Sequence, residues 1–176
     1  MEMQSPIEAL DSQASSRLIF DADTQAQSNA VFHGHGFELQ SLGILIAPEL
    51  RCEVVDDLQM CSLPGTRSWL LGMAQLRGKI LPVFDLQSMV FDSHKKRNTD
   101  KRVLIINAHE KGLGVLLPGL PKRLSFTEAH RMTNHSGVPE GISPFSRQVF
   151  YQDRLWVELD FDGFFSQMAM NVVMSH

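Results

Sequence analysis

From residue 37 onward the chain consists of short apolar runs separated by turn residues, a pattern typical of a small barrel or sandwich with many strands. We therefore predict an all-β body with short helices. Four hairpins are expected, with strand pairs at residues 37–39 and 44–47, 70–76 and 79–84, 102–108 and 112–117, and 148–151 and 154–159.

The turns of the first two hairpins each contain a glycine. We place the first turn at Leu42-Gly43 and the second at Arg77-Gly78, since glycine adopts the positive φ that a tight turn needs. A short helix is expected at residues 86–91, and a second at residues 160–170 with Asp160 or Asp162 as its cap.

The first 36 residues differ from the rest in composition. They contain five acidic residues and one basic residue, and they are rich in Ser, Gln and Ala with little apolar periodicity. We predict a disordered acidic tail over residues 1–36, a folded domain over 37–165, and a C-terminal helix or tail over 166–176. The remaining chain has 15 basic and 15 acidic residues, so the net charge of −4 belongs to the tail.

A weak internal repeat suggests that the body contains two similar halves. Residues 79–86 (KILPVFDL) resemble residues 154–161 (RLWVELDF), and each segment is a predicted strand that ends on an Asp before a helix. We interpret the two segments as parts of two similar sub-barrels that cover each other.

Charge and composition disfavour several classes of protein. A pI near 5.9 removes the long-range attraction to phosphate on which most nucleic-acid binders rely. The apolar runs are far shorter than the roughly 20 residues that span a bilayer, and the acidic residues among the first eleven disfavour a secretory signal. We expect a cytoplasmic protein in which Cys52 and Cys61 are free, partly buried thiols.

No familiar catalytic motif is present in the sequence. The Gly72–Lys79 segment has the wrong glycine spacing for a phosphate loop, and the histidines lack metal-ligand spacing. Asp85, Asp160 and Asp162 each follow an apolar strand, where a helix cap is a better interpretation than a general acid or base. We therefore predict that the protein is not an enzyme and that it uses neither a metal nor a cofactor.

Residues 63–86, which read LPGTRSWLLGMAQLRGKILPVFDL, closely resemble the CheW-like domain, because turn, strand and spacing match together. The likeness extends from Phe37 to the strand at 154–159, and Arg51 to Val54 match the family's Val-x-Glu-Ile region. Within the family, the chain is most similar to the PilI-type adaptors of type IV pilus (twitching) motility, because Leu63-Pro64-Gly65 leads to Trp69 and a Phe150–Trp156 strand pair follows late.

The resemblance implies a pair of small five-stranded, SH3-like β-barrels packed together. It also implies a non-catalytic scaffold that joins a methyl-accepting chemoreceptor to a CheA-type histidine kinase and meets the membrane only through the receptor. The positions that match the family's receptor-facing groove, together with their neighbours, are Glu53, Val54, Gly72, Leu76, Arg77 and Gly78.

The sequence departs from the family pattern at three places. Gln75 replaces an Asn, Leu117-Pro118 replaces a Val-Asp pair, and the late glycine-rich turn is absent around residues 143–147. We expect the fold to tolerate these changes, whereas the choice of partner depends on them. Two alternatives stay open: a small β-barrel that binds single-stranded nucleic acid, and a metal-dependent phosphatase or other enzyme of the same signalling system.

Overall fold

The computed structural model describes residues 29–91, 102–107 and 112–174, with side chains up to residue 170. These residues form eleven β-strands and two α-helices. The strands are β1 (Ala30–Leu39), β2 (Leu42–Ile46), β3 (Cys52–Val55), β4 (Met60–Cys61), β5 (Leu70–Leu76), β6 (Lys79–Phe84), β7 (Val103–Ile106), β8 (Leu113–Leu116), β9 (Lys122–Thr127), β10 (Ser146–Tyr151) and β11 (Leu155–Leu159). The helices are α1 (Leu86–Phe91) and α2 (Phe161–Met174), and Glu128–His130 and Ser143–Phe145 form short 3-10 helices.

The strands lie in two sheets. Sheet A has five strands in the order β10-β11-β2-β1-β9, and sheet B has six in the order β3-β7-β8-β6-β5-β4. The prediction of an all-β protein with short helices, built from two small units packed together, is confirmed, and the two units are sheets A and B. Sheet B has one strand more than expected, because the two residues of β4 pair with Met73 and Ala74 of β5.

The chain enters sheet A, completes all of sheet B, and then returns to sheet A. Strands β1 and β2 therefore join β9, β10 and β11 from the far end of the chain. The weak sequence repeat occupies equivalent places: β6 runs parallel to β8, and β11 runs parallel to β2. The two strands of the repeat, β6 and β11, are each followed by a helix that an Asp caps. Asp85 accepts a hydrogen bond from the backbone N–H of Ser88 at 3.1 Å, and Asp160 accepts one from that of Gly163 at 3.3 Å.

Three predicted boundaries are wrong. Strand β1 begins at Ala30, so residues 30–36 belong to sheet A and not to a disordered tail, while residues 1–28 lie outside the described part. Gly36 is needed there for close packing, since a Cβ would lie 2.8 Å from the carbonyl oxygen of Ile44. The first turn falls at Gln40-Ser41 rather than Leu42-Gly43. The helix predicted at 160–170 is present as α2, so the predicted domain boundary at 166 falls inside a helix.

The core has three parts because strand residues alternate between two faces. In β7, Val103 and Ile105 point into a cluster enclosed by sheet B, whereas Leu104 and Ile106 point toward sheet A. The layer between the sheets also receives Phe161, Phe164 and Phe165 of α2. A third cluster, enclosed by sheet A, consists of Phe32, Leu45, Phe126, Phe150 and Trp156.

Candidate functional site

The turn between β5 and β6 lies where the sequence predicted it. Leu76 pairs with Lys79, so Arg77 and Gly78 form a two-residue turn, with φ values of +48° and +79°. Two consecutive positive φ angles match the right-handed twist of the flanking strands and favour a tight hairpin. A Cβ on Gly78 would meet no atom within 4 Å, so this glycine is required for its backbone conformation and not for space.

Arg77 and Glu53 form a two-pronged ion pair across sheet B. Arg77 Nη1 lies 2.7 Å from Glu53 Oε1, and Arg77 Nη2 lies 2.8 Å from Glu53 Oε2. Glu53 is on β3 at one end of the strand order, and Arg77 joins β5 and β6 near the other end. The pair therefore ties the opposite ends of the sheet together as the sheet rolls around its core.

The ion pair is open to solvent. The Arg77 side chain is 65% exposed and that of Glu53 is 33% exposed, so salt screens their attraction and the pair adds little to stability. The hydrogen bonds that Arg77 donates to Glu53, and then the negative charge of Glu53, raise the pKa of Arg77 above its ordinary value, which keeps the guanidinium charged. A guanidinium has five N–H donors, and the two Glu53 oxygens orient it while leaving capacity for another acceptor.

Val54 and Leu76 lie close to this pair in sequence but on different surfaces. Val54 is 40% exposed and faces away from the enclosed cluster of sheet B, because it alternates with Glu53 and Val55 along β3. Leu76 is half-buried and packs against that cluster together with Val55. Leu76, next to Arg77 along the chain, thus belongs to the enclosed cluster, whereas Val54 is a separate exposed apolar residue on the outer side of β3.

Gly72 lies apart from the ion pair. It is buried near the start of β5, where the register of β5 against β6 shifts, and its φ is +144°. A Cβ there would lie 2.2 Å from the carbonyl oxygen of Cys61. The resemblance implied that Gly72 lies in or next to the receptor-facing groove with Arg77, but β4 covers this part of β5.

The structure adds a residue that the sequence analysis did not single out. Ile80 of β6 is 72% exposed, more than any other large hydrophobic side chain in the described part of the chain. The signal was present in the alternation along β6, where Leu81 and Val83 are buried and their neighbours are not. The two thiols also differ from expectation, since Cys52 and Cys61 are both exposed.

A polar cleft of about 230 Å³ lies at a junction between the sheets. Arg147 of β10 bridges its two sides: Nη1 lies 3.0 Å from Glu49 Oε1, and Nη2 lies 3.2 Å from Asp160 Oδ1. Asp160 also caps α2, and Asp85 caps α1, as the sequence predicted. These carboxylates therefore have structural roles. Among the described residues, no group of three His, Cys, Asp or Glu side chains is arranged as metal ligands would be.

Two rolled sheets that share a core and present an oriented arginine on a hairpin define a small all-β domain suited to protein docking. A family model described as the CheW-like domain matches residues 52–169. The chain belongs to this family, and it is a non-catalytic scaffold adaptor of chemosensory signalling.

Two curated relatives match most of the chain. Protein PilI of Pseudomonas aeruginosa is 24% identical over 139 residues, which cover 77% of this chain and 78% of PilI. The chemotaxis protein CheW of Helicobacter pylori is 25% identical over 134 residues, which cover 71% of this chain and 78% of that protein. The chain is therefore about equally similar to PilI and to CheW, so overall identity does not distinguish between these two relatives.

A solved structure supports the fold. The scaffolding protein TtCheW from Thermoanaerobacter tengcongensis superimposes with a TM-score of 0.61 at 19% identity, covering 76% of this chain and 91% of TtCheW. At that identity the likeness bears on the fold alone. Among the described residues, no helix is long and apolar enough to cross a membrane.

Proposed function

We propose that this protein couples a methyl-accepting chemoreceptor to a CheA-type histidine kinase in the cytoplasm, with the receptor as its link to the membrane. The observation that carries the proposal is the exposed Arg77–Glu53 pair on a rigid hairpin, at the positions that match the family's motif. Membership in a family of chemosensory scaffolds supports the same partners.

The geometry of the pair suits recognition of a protein surface. The hairpin limits the backbone freedom of Arg77, and Glu53 limits the freedom of its side chain, so little conformational entropy is lost when a partner accepts a hydrogen bond. Half-buried Leu76, the neighbour of Arg77 along the chain, supplies apolar area at this site, whereas exposed Val54 offers apolar area on the other face of β3. In this proposal, Gly72 and Gly78 shape the hairpin and do not touch the receptor.

The kinase must bind elsewhere, because a coupling protein holds both partners at once. We assign it to a sheet edge and adjoining turn away from Arg77, where a homologous β-barrel of the kinase could dock edge against edge. Substitutions at the receptor-facing hairpin should then leave kinase binding intact. This separation makes the two interactions independently measurable.

We further propose that the pathway is the one that controls type IV pili. The overall identities to PilI and CheW are nearly equal, so the support comes from local features. One is the Leu63-Pro64-Gly65 segment that leads to Trp69. The other is the pair of Phe150 and Trp156, which face each other across β10 and β11. Loss of twitching with normal swimming in a deletion strain would support this branch, and the reverse phenotype would contradict it.

Binding assays with purified partners test the coupling function. Arg77→Glu should abolish capture by the cytoplasmic tip of the cognate chemoreceptor, because the exposed charge is reversed, while capture by the kinase core stays at the wild-type level. Lys122→Glu is the matched control: it reverses another exposed, ion-paired base, which lies on β9 of sheet A. Failure of the wild-type protein to bind either partner would refute the proposed function.

A further inference from the structure

Strand β9 lies at one end of sheet A, so its outer edge has no neighbouring strand in the described part of the chain. Its six residues pair with β1 on the other side. Beyond the strand, Arg131 forms a single bridge to Phe150 of β10, which leaves the edge of β9 itself open. β9 therefore presents backbone N–H and C=O groups to which another extended segment can add.

The two faces of β9 differ in chemistry. Arg123 is exposed and pairs with His35 of β1, so both side chains lie on the outer face. Arg123 forms no ion pair with an acid of the described residues, whereas Lys122 is held by Glu38 at 2.8 Å. On the opposite face, Leu124 is half-buried against the aromatic cluster that sheet A encloses. The edge thus combines an uncompensated positive charge with partly uncovered apolar surface.

We propose that residues 17–22 of this chain (RLIFDA) add as a further strand to the outer edge of β9. Alternation along that strand places Leu18 and Phe20 over the enclosed aromatic cluster and Asp21 on the outer face beside Arg123. Main-chain hydrogen bonds to β9 supply affinity, and the alternate side chains supply specificity. This inference goes beyond the proposed coupling function and does not depend on it.

The point at which the chain enters the fold favours this occupant. Ala30 pairs with Thr127 at the end of β9, so the N-terminal segment begins beside the open edge. Residues 23–29 span up to about 25 Å when extended, and β9 is about 20 Å long, so residues 17–22 can reach the edge in either direction. The tether also gives them a roughly millimolar effective concentration at the edge, which a partner's strand must overcome.

Charge distinguishes this occupant from a second copy of the chain. If two β9 edges paired with each other, the Lys122 and Arg123 side chains of both copies would be brought together, and like charges oppose such pairing. Residues 1–28 contain five acidic residues and one basic residue, whereas residues 29–37 and 112–127 contain no acid. The N-terminal segment therefore complements the edge, and a second copy does not.

Hydrogen exchange followed by NMR on the full-length chain tests the proposal, because it resolves the β9 amides that point away from β1. In the wild type these amides should exchange at least about tenfold more slowly than in the double variant Leu18→Asp/Phe20→Asp, in which two charges replace the apolar contacts. The matched control is Ile7→Asp/Leu10→Asp, which makes the same change in the other apolar part of the N-terminal segment and should exchange at the wild-type rate.

A charge exchange tests the pairing of Asp21 with Arg123. Arg123→Asp should speed exchange of the same amides, and Asp21→Arg added to Arg123→Asp should slow it again. Equal exchange rates in the wild type and in Leu18→Asp/Phe20→Asp would overturn the proposal. Protection that grows with protein concentration and survives in Leu18→Asp/Phe20→Asp would also overturn it, because a second copy would then cover the edge.

Discussion

Gly72 offers a quantitative test of the structure, because its role is decided by two independent features. Its φ of +144° lies in a region that residues with a side chain rarely adopt, and a Cβ would lie 2.2 Å from the carbonyl oxygen of Cys61 and 2.8 Å from the carbonyl carbon. Both of these atoms belong to the backbone of β4, so they cannot rotate away. Gly72→Ala must therefore displace β4 or distort β5.

The cost of Gly72→Ala follows from these two features. An unfavourable backbone conformation costs about 1–3 kcal/mol, and overpacking costs about 1–3 kcal/mol more, so we expect a total of about 2–6 kcal/mol. Gly78→Ala is the matched control, because its φ of +79° is also positive but no atom lies within 4 Å of the new Cβ. That variant should lose about 1–2 kcal/mol, from backbone conformation alone.

Urea unfolding, followed by tryptophan fluorescence, measures both variants. With an m-value of about 2 kcal/mol/M, the midpoint should fall by about 1–3 M for Gly72→Ala and by about 0.5–1 M for Gly78→Ala. Equal midpoint shifts would refute the close contact between Gly72 and Cys61. A Gly72→Ala protein that is stable but no longer binds the receptor would show instead that Gly72 belongs to the interaction surface.

Three further predictions concern the ion pair, a buried acid and the topology. The double variant Glu53→Arg/Arg77→Glu should regain the ion pair and wild-type stability, but it should not regain receptor binding in a pull-down. Restored receptor binding would mean that the ion pair only stabilises the fold and does not contact the receptor. Glu158 is 5% exposed, and burial raises its pKa although Gln148 donates a hydrogen bond to it. Its contribution to stability is therefore present at acid pH and lost as the pH rises through the raised pKa, so Glu158→Gln should stabilise the fold at pH 7 but not at pH 4 in urea titrations. If the chain is divided within residues 92–101, circular dichroism should show that each fragment is unfolded alone and that the mixture of both folds, since sheet A takes strands from both fragments. A fragment that folds alone would contradict the topology.

Local patterns in the sequence predicted much of the secondary structure. The β5–β6 turn, the helix at Leu86–Phe91 and the capping roles of Asp85 and Asp160 depend on residues within a few positions of one another. The conformation of Arg77-Gly78 is likewise a property of a two-residue turn. Such features can be read from a sequence because the interactions that stabilise them are short in range.

The first strand shows where this approach fails. His33-Gly34-His35-Gly36 has the composition of a flexible linker, and glycine next to polar residues is a common loop signal. In the structure, these residues pair with β9 on one side, and from His35 onward with β2 on the other. Gly36 is required because Ile44 and Leu124 approach it closely. The relevant neighbours are 8 and 88 residues away along the chain, so no local pattern could identify them.

The candidate site was likewise predictable from the sequence only in part. The motif around Arg77 indicated which residues matter, and the resemblance to the CheW-like domain placed Glu53, 24 positions earlier, in the same groove as Arg77. The faces of those residues were not accessible to sequence reasoning: Gly72 is buried under β4, Val54 faces away from Glu53, and Ile80 stands open on the outer side of the hairpin.

The sequence by itself determined the class of protein, since short alternating apolar runs build strands, and a 24-residue motif with matching spacing identifies the family. It also determined the local conformations of turns and helix caps. The tertiary structure decided which strands share a sheet, because each sheet takes strands from both halves of the chain. It decided the form of the site for the same physical reason: burial and exposure depend on contacts between segments that are distant in sequence, and those contacts exist once the two sheets have packed.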